Sequence, residues 1–194
     1  MKRLTLILIA LTTYSLLASN HCKKDPAANA KLPPATQEGR NTVGFRIDDE
    51  VWIPHYECRF MGNPCGEISA RYGESNGAAE HSFDFQILRQ KNNKLSALTV
   101  SSSGTGTITS VGNKIDSIFV NYDDEKLSSD GYFIGPMPGS RFTITKIDFQ
   151  NWIISGEFEF ILRERKDVGT LTDTFVTLKE GRFDLKFNAC TCSN

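Results

Sequence analysis

The sequence predicts an all-β fold, an antiparallel β-sandwich or barrel-like domain of about nine or ten strands. Three observations point there. Apolar side chains recur in steps of two through most of the second half. No long stretch spaces them in steps of three and four. Turn-forming residues punctuate the runs at short intervals. A composition of 39% hydrophobic and 23% charged residues can build a core, and thirteen Phe against three Met make that core aromatic.

The chain opens with a different signal. Lys2 and Arg3 precede LTLILIALTTYSLLA, an uncharged run too short to span a membrane, which needs about 20 apolar residues. It has the form of a secretory leader, residues 1–21. Cys22, followed by Lys-Lys-Asp, is then the expected lipidation site and first mature residue, although His21 is a bulkier neighbour than such sites usually have. Residues 22–35, with Pro26, Pro33, Pro34 and four alanines, read as an extended tether. A single β domain, 36–194, should follow.

Within the domain, IDDEVW (47–52) reads as a tight hairpin sending Ile47 and Val51 or Trp52 inward. EISARYGE (67–74) has room for one helical turn. In HSFDFQILRQ, Phe83, Phe85 and Ile87 share one face. SSSGTGTIT (101–109) reads as a turn between strands. IDSIFVNY and NWIIS are continuous enough to be strands buried on both sides. RFTITKIDF sets Phe142 and Ile144 against Thr143 and Thr145. GEFEFILRER aligns Phe158, Phe160 and Leu162, and GRFDLKF aligns Phe183, Leu185 and Phe187. KNNK at 91–94, GPMPG at 135–139 and KEG at 179–181 are the turn signals between such runs.

With Cys22 lipidated, Cys58, Cys65, Cys190 and Cys192 remain. In an exported chain an even set reads as disulfides. Three connectivities are open. Pairing Cys190 with Cys192 would strain a very small ring, so stapling the Cys58–Cys65 loop to the carboxyl-terminal CTC is favoured. In the chain-entropy picture a bridge over that separation contributes about 4 kcal/mol. His55, Cys58, Cys65 and His81 lack the compact paired spacing of a structural zinc module, so no metal is expected.

TQEGRNTVGFRIDDEVWIP (36–54) resembles the opening of a family of small lipoproteins from the Bacteroidetes phylum, through Thr36, Gln37, Gly39, Asn41, Thr42, Gly44, Val51, Trp52 and Pro54. ISGEFEF (154–160) and EGRFDLKF (180–187) are similar to that family's closing strands. The resemblance implies an exported all-β domain and a lipidated Cys22. It supplies no catalytic residues. The small, neutral, turn-forming character of the motif itself points to a structural role.

Net charge is −1, or −3 once Lys2 and Arg3 leave with the leader (20 basic against 23 acidic residues), which is no footprint for nucleic acid. No phosphate loop, dinucleotide fingerprint, nucleophile elbow or H-E-x-x-H occurs, and nothing calls for a cofactor. Asp123, Asp124, Glu125 and Asp130 do not follow the spacing of a calcium loop and read as a solvated turn. GYFIGPMPGSRF places Tyr132, Phe133, Ile134 and Met137 in a Gly/Pro-rich segment, a candidate binding loop. The expected role is a non-enzymatic binding or scaffold module. It would sit at the cell envelope, in the outer membrane or periplasm, held by its lipid and serving a protein or small-molecule partner. A lipocalin-like carrier of a small apolar ligand is the first rival, and an envelope hydrolase using His55 or His81 the second.

Overall fold

The computed structural model describes residues 30–55, 67–75, 80–91, 94–105, 117–124, 127, 131–166 and 169–191. The leader, Cys22, most of the tether, Cys58, Cys65 and Cys192 lie outside them. For His81 and Cys190 the strand backbone alone is described.

The chain is all-β. Among the described residues eleven strands form one sheet: β1 (Thr42–Ile47), β2 (Glu50–Trp52), β3 (Ile68–Ser75), β4 (Glu80–Lys91), β5 (Lys94–Thr105), β6 (Ser117–Asp124), β7 (Gly131–Gly135), β8 (Arg141–Asp148), β9 (Ile153–Lys166), β10 (Thr170–Lys186) and β11 (Asn188–Thr191). Their order is β11-β3-β4-β5-β6-β7-β9-β10-β1-β2, with β8 added on β9. Every pairing is antiparallel except β11 on β3.

The sheet curls on itself. β10 runs through Phe187 directly into β11, whose partner is β3, so one stretch of chain draws the two sides of the sheet together. Rings from distant strands meet inside: Phe183 of β10 lies 5.3 Å from Phe85 of β4, and Phe45 of β1 lies 6.1 Å from Tyr122 of β6. Beyond β2, His55 bridges Arg89 of β4. The interior is therefore filled, not hollow, by the stripes the two-residue period marks. Phe83, Phe85, Ile87, Phe160, Leu162 and Leu185 are completely buried, and Phe158, Phe183 and Phe187 nearly so.

The hairpin at 47–52 forms with Asp48 and Asp49 both at positive φ, the two-residue turn whose twist matches that of the flanking strands. Trp52, rather than Val51, enters the core. Other expectations need correction. Residues 68–75 form strand β3 instead of a helical turn, because Ala70 and Tyr72 face the core at strand spacing. Ser101–Thr105 continue β5 instead of turning. KEG at 179–181 is not a strand end. β10 passes through it with a register shift, a bulge that bends a long strand around the barrel. IDSIFVNY alternates, with Val120 and Tyr122 inside and Phe119 half in solvent. In NWIIS, Trp152 sits at the turn and is exposed, while Ile153–Gly156 are buried on both faces.

That double burial comes from the segment before β1. Asp184, buried on β10, accepts hydrogen bonds from the Thr36 hydroxyl (2.6 Å), the Glu38, Gly39 and Arg40 amides (3.1, 2.8 and 3.3 Å) and the Ser155 hydroxyl (2.8 Å). The Asn41 side-chain oxygen accepts from the Lys186 amide. The two ends of the domain, singled out separately in the sequence, are thus parts of one knot. Burial pushes the Asp184 pKa up, but the bonds from Thr36, Ser155, Gly39 and Glu38 outweigh it and hold the carboxyl at about 2. On the adjoining strands Gly156 lies opposite Phe183, and Gly181 opposite Phe158, each ring covering the glycine across from it. A methyl at Gly156 would collide with the Thr143 carbonyl oxygen and the Phe183 ring.

Two outcomes follow. An unfolded Asp titrates near 3.9, so the carboxylate's contribution is complete above about pH 5 and is lost as pH falls from there toward 2, amounting to about 2 kcal/mol. Urea unfolding of wild type and Asp184→Asn across that range should show the fall only in wild type. Gly156→Ala should lower stability by about 2 kcal/mol through overpacking, read as a shifted urea midpoint at unchanged slope.

Candidate functional site

The inward stripes change character toward one end of the barrel. Cross-strand register stacks the interior in layers over β4, β5 and β6. Phe85, Val100 and Val120 form one layer, Ile87, Leu98 and Tyr122 the next, and Arg89, Ser96 and Asp124 the last. The first two are apolar apart from one phenol; the third is wholly polar. Each residue of it is the next inward position in its strand, so the pleat that buries Phe83, Phe85 and Ile87 also turns Arg89 inward. The β1–β2 hairpin lies opposite, bringing Glu50 and Trp52 on the same face of β2.

These groups form the floor and walls of a cavity of about 460 Å³. Ile47 and Asp48 come from the hairpin, Lys94 and Leu95 from the start of β5, and Leu127 from the chain after β6. Trp52 stacks on Phe45 with centroids 4.7 Å apart, and its indole N–H donates to the Ser96 hydroxyl at 3.3 Å. Ser96 in turn donates to the Arg89 carbonyl at 3.4 Å. The Tyr122 hydroxyl donates to an Asp124 carboxylate oxygen at 2.6 Å. Arg89 is only 3% exposed. Its Nη2 donates to Glu50 Oε1 at 3.0 Å, its guanidinium carbon stands 5.8 Å from the Trp52 ring, and its buried Nε has no hydrogen-bond partner among the described residues. Leu95 and Leu127 are exposed at the mouth.

Burial pushes the Tyr122 hydroxyl far above the ordinary phenol range, and the charge and hydrogen bond of Asp124 push the same way. The phenol is a permanent donor at physiological pH. The cavity thus offers an aromatic wall, an apolar rim and a buried cation. Among the described residues lining it there is no histidine or cysteine, and no described group of three His, Cys, Asp or Glu side chains is arranged to hold a metal ion.

The residues singled out in the sequence fall elsewhere. Tyr132, Phe133 and Ile134 belong to strand β7, between β6 and β9, and not to a loop. Phe133 is a core residue 6.4 Å from the Tyr122 ring, so it backs the cavity wall without lining it. Tyr132, Ile134 and Met137 are half-buried, and the Met137 amide donates to the Ile161 carbonyl. His55 bridges Arg89 through its backbone and does not line the cavity. Asp123 and Asp124 end β6, and Glu125 and Asp130 lie outside the described residues. Arg89, Ser96 and Tyr122 were missed. The signal that would have found them is the two-residue step itself, followed one position past the last hydrophobic residue.

A second depression, about 350 Å³, lies over β8, β9 and β10. Its three cations, Arg141, Lys179 and Arg182, face three anions, Glu157, Glu159 and Glu180, and Arg141 pairs with Glu159 at 3.0 Å. That is a self-compensated charged surface with little apolar area.

Comparison of the chain with protein-family models, with curated protein sequences and with solved structures finds no match.

Tyr122 gives this site a direct reporter. Tyr122 should remain un-ionised through an alkaline titration followed by phenolate absorbance until the fold opens. Tyr122→Phe should remove that late step. A phenol whose folded pKa is raised stabilises fully below its unfolded value, about 10, and the contribution disappears as pH rises above it.

Proposed function

We propose that this protein is an exported cell-envelope lipoprotein, anchored through Cys22, whose β domain is a non-enzymatic module that binds a small molecule at the mouth of its barrel. The Lys2-Arg3 leader, the Pro/Ala tether and the likeness of residues 36–54, 154–160 and 180–187 to small Bacteroidetes-type lipoproteins support export and anchoring. Cys58, Cys65, Cys190 and Cys192 are then disulfide partners in an oxidising compartment.

One observation supports the binding role above the others. A filled aromatic interior ends in a cavity floored by a buried Arg89 and walled by Trp52 and Tyr122. A volume of about 460 Å³ falls within the range of small-molecule sites, about 300–1,000 Å³, and a few convergent polar groups in an apolar setting are how such sites orient a ligand. Compared with a hollow-barrel carrier, the ligand is small and sits at one end, because Phe residues occupy the rest of the interior. A hydrolase reading finds no support in the cavity, whose one lining hydroxyl of nucleophile type among the described residues, Ser96, is bonded to the Trp52 N–H and the Arg89 carbonyl.

The naphthalene sulfonate dye ANS, which fluoresces in apolar sites, should bind the folded domain with about one equivalent. Leu95→Asp and Leu127→Asp, at the exposed rim, should abolish that signal while leaving the urea midpoint within about 0.5 kcal/mol of wild type. Trp152→Ser, at the opposite end, should leave it intact. Dye bound equally by all three variants would remove the cavity from the proposal. Separately, wild type should partition into detergent and Cys22→Ser into the aqueous phase.

A further inference from the structure

We infer that the molecule held at the barrel mouth bears a carboxylate on a compact apolar body, and that Arg89 receives the acid while Trp52, Leu95 and Leu127 cover the body. This rests on the binding role proposed above for the same cavity and specifies its ligand class.

Three facts lead to it. Arg89 is 3% exposed and lines the cavity. A guanidinium has five N–H donors; here one, on Nη2, meets Glu50 at 3.0 Å, while Nε–H has no acceptor among the described residues. Glu50 is a half-matched counter-ion, its side chain 42% exposed against 4% for Arg89, so the anion is solvated where the cation is not. A buried charge is tolerated when its hydrogen bonds are completed, and a planar carboxylate is the acceptor whose two oxygens match a guanidinium edge.

The remaining groups narrow the choice. Asp124 keeps its charge, but one of its oxygens already accepts from the Tyr122 hydroxyl, which stays protonated. Asp48 lies at the exposed hairpin turn, where solvent screens its charge. A cationic ligand would have to place its charge beside Arg89 in the least solvated part of the cavity. A neutral one would leave the Nε–H without an acceptor. The apolar body is set by Trp52, whose ring is fixed by Phe45 on one side and by Ser96 at its N–H, and by the two leucines at the rim. The Arg89 guanidinium carbon stands 5.8 Å from the Trp52 ring, so an acid bonded to the guanidinium lies next to the indole.

Decanoate, 1-decanol and decyltrimethylammonium, each below its micelle threshold, distinguish head groups on one body. Titration into the full domain carrying Trp152→Phe leaves Trp52 as the only fluorophore of its kind, since the chain has two Trp. Decanoate should shift Trp52 emission and bind at least tenfold more tightly than decanol, with the ammonium compound weakest. Glu50→Gln, which removes the competing anion from a partly exposed position, should tighten decanoate several-fold and leave decanol unchanged. Arg89→Met should erase the preference for acid. If that variant does not fold, Glu50→Gln decides. Equal binding of acid and alcohol, tighter binding of the ammonium compound, or weaker decanoate binding in Glu50→Gln overturns the assignment of the head group and leaves the cavity's binding role standing. Failure of all three probes to bind at Trp52 overturns both.

Discussion

The carboxylate of Asp184 is the contact from which the rest of the architecture can be traced. It is buried, it is ionised, and five donors converge on it, three of them backbone amides of residues 38–40. A charge in that position is strongly destabilising unless each donor is in place, so the chain preceding β1 is held in one conformation. The register of β1 follows at once, because Thr42 pairs with Asp184 itself and Val43 with Phe183. From there the strand runs the length of the barrel, turns at Asp48–Asp49, and returns as β2. Glu50 and Trp52 arrive at the cavity only because β1 has been set in register at its far end. A slip of one residue would exchange the faces of β2 and remove both from the site.

The interior that separates these two ends is graded. Near Asp184 the packing is aromatic and close. Phe142, Phe158, Phe160 and Phe183 stack or tilt against one another, and Gly156 and Gly181 make room for the rings above them. Toward the cavity the rings give way to Tyr122 and Trp52, whose polar atoms need partners and find them in Asp124 and Ser96. The last layer is Arg89, Ser96 and Asp124. The gradient has a simple physical basis. Each layer shares walls with its neighbours, and the Arg89 charge falls at the end where its counter-ion Glu50 is partly in water.

The sheet was legible in the amino-acid sequence because a two-residue period reports which face is buried irrespective of what covers it. Phe83, Phe158 and Phe183 show this. The hairpin at 47–52 was legible because Asp-Asp at positive φ is a local preference that needs no tertiary partner. Features decided by distant partners were not. Glu180-Gly181 looks like a strand end, and only the covering Phe158 ring makes it a bulge within β10. Residues 68–75 alternate weakly, and their strand state is imposed by β4 and β11 on either side. The N-terminal motif and the GRFD strand could each be singled out, but the reason Thr36, Gly39 and Asp184 go together is a contact spanning 145 to 148 residues. The cavity was illegible for a related cause. Arg89 in LRQK resembles any surface arginine once the apolar run has ended, and its burial depends on β2, which reaches it from 39 positions away.

This arrangement also divides the molecule by stability. β2 is three residues long, stands last in the sheet order, and pairs only with β1 among the described strands. An edge strand of that length opens locally at far lower free energy than β9 or β10, which are flanked on both sides and carry the aromatic core. Yet β2 bears one whole wall of the cavity, with Glu50 on Arg89 and Trp52 on Ser96. The part that sets its register, the Asp184 knot, lies at the other end of β1. Beyond β2 the chain is tied again, where His55 bridges Arg89 of β4, so the cavity wall is held from the β1 side and from the β4 side.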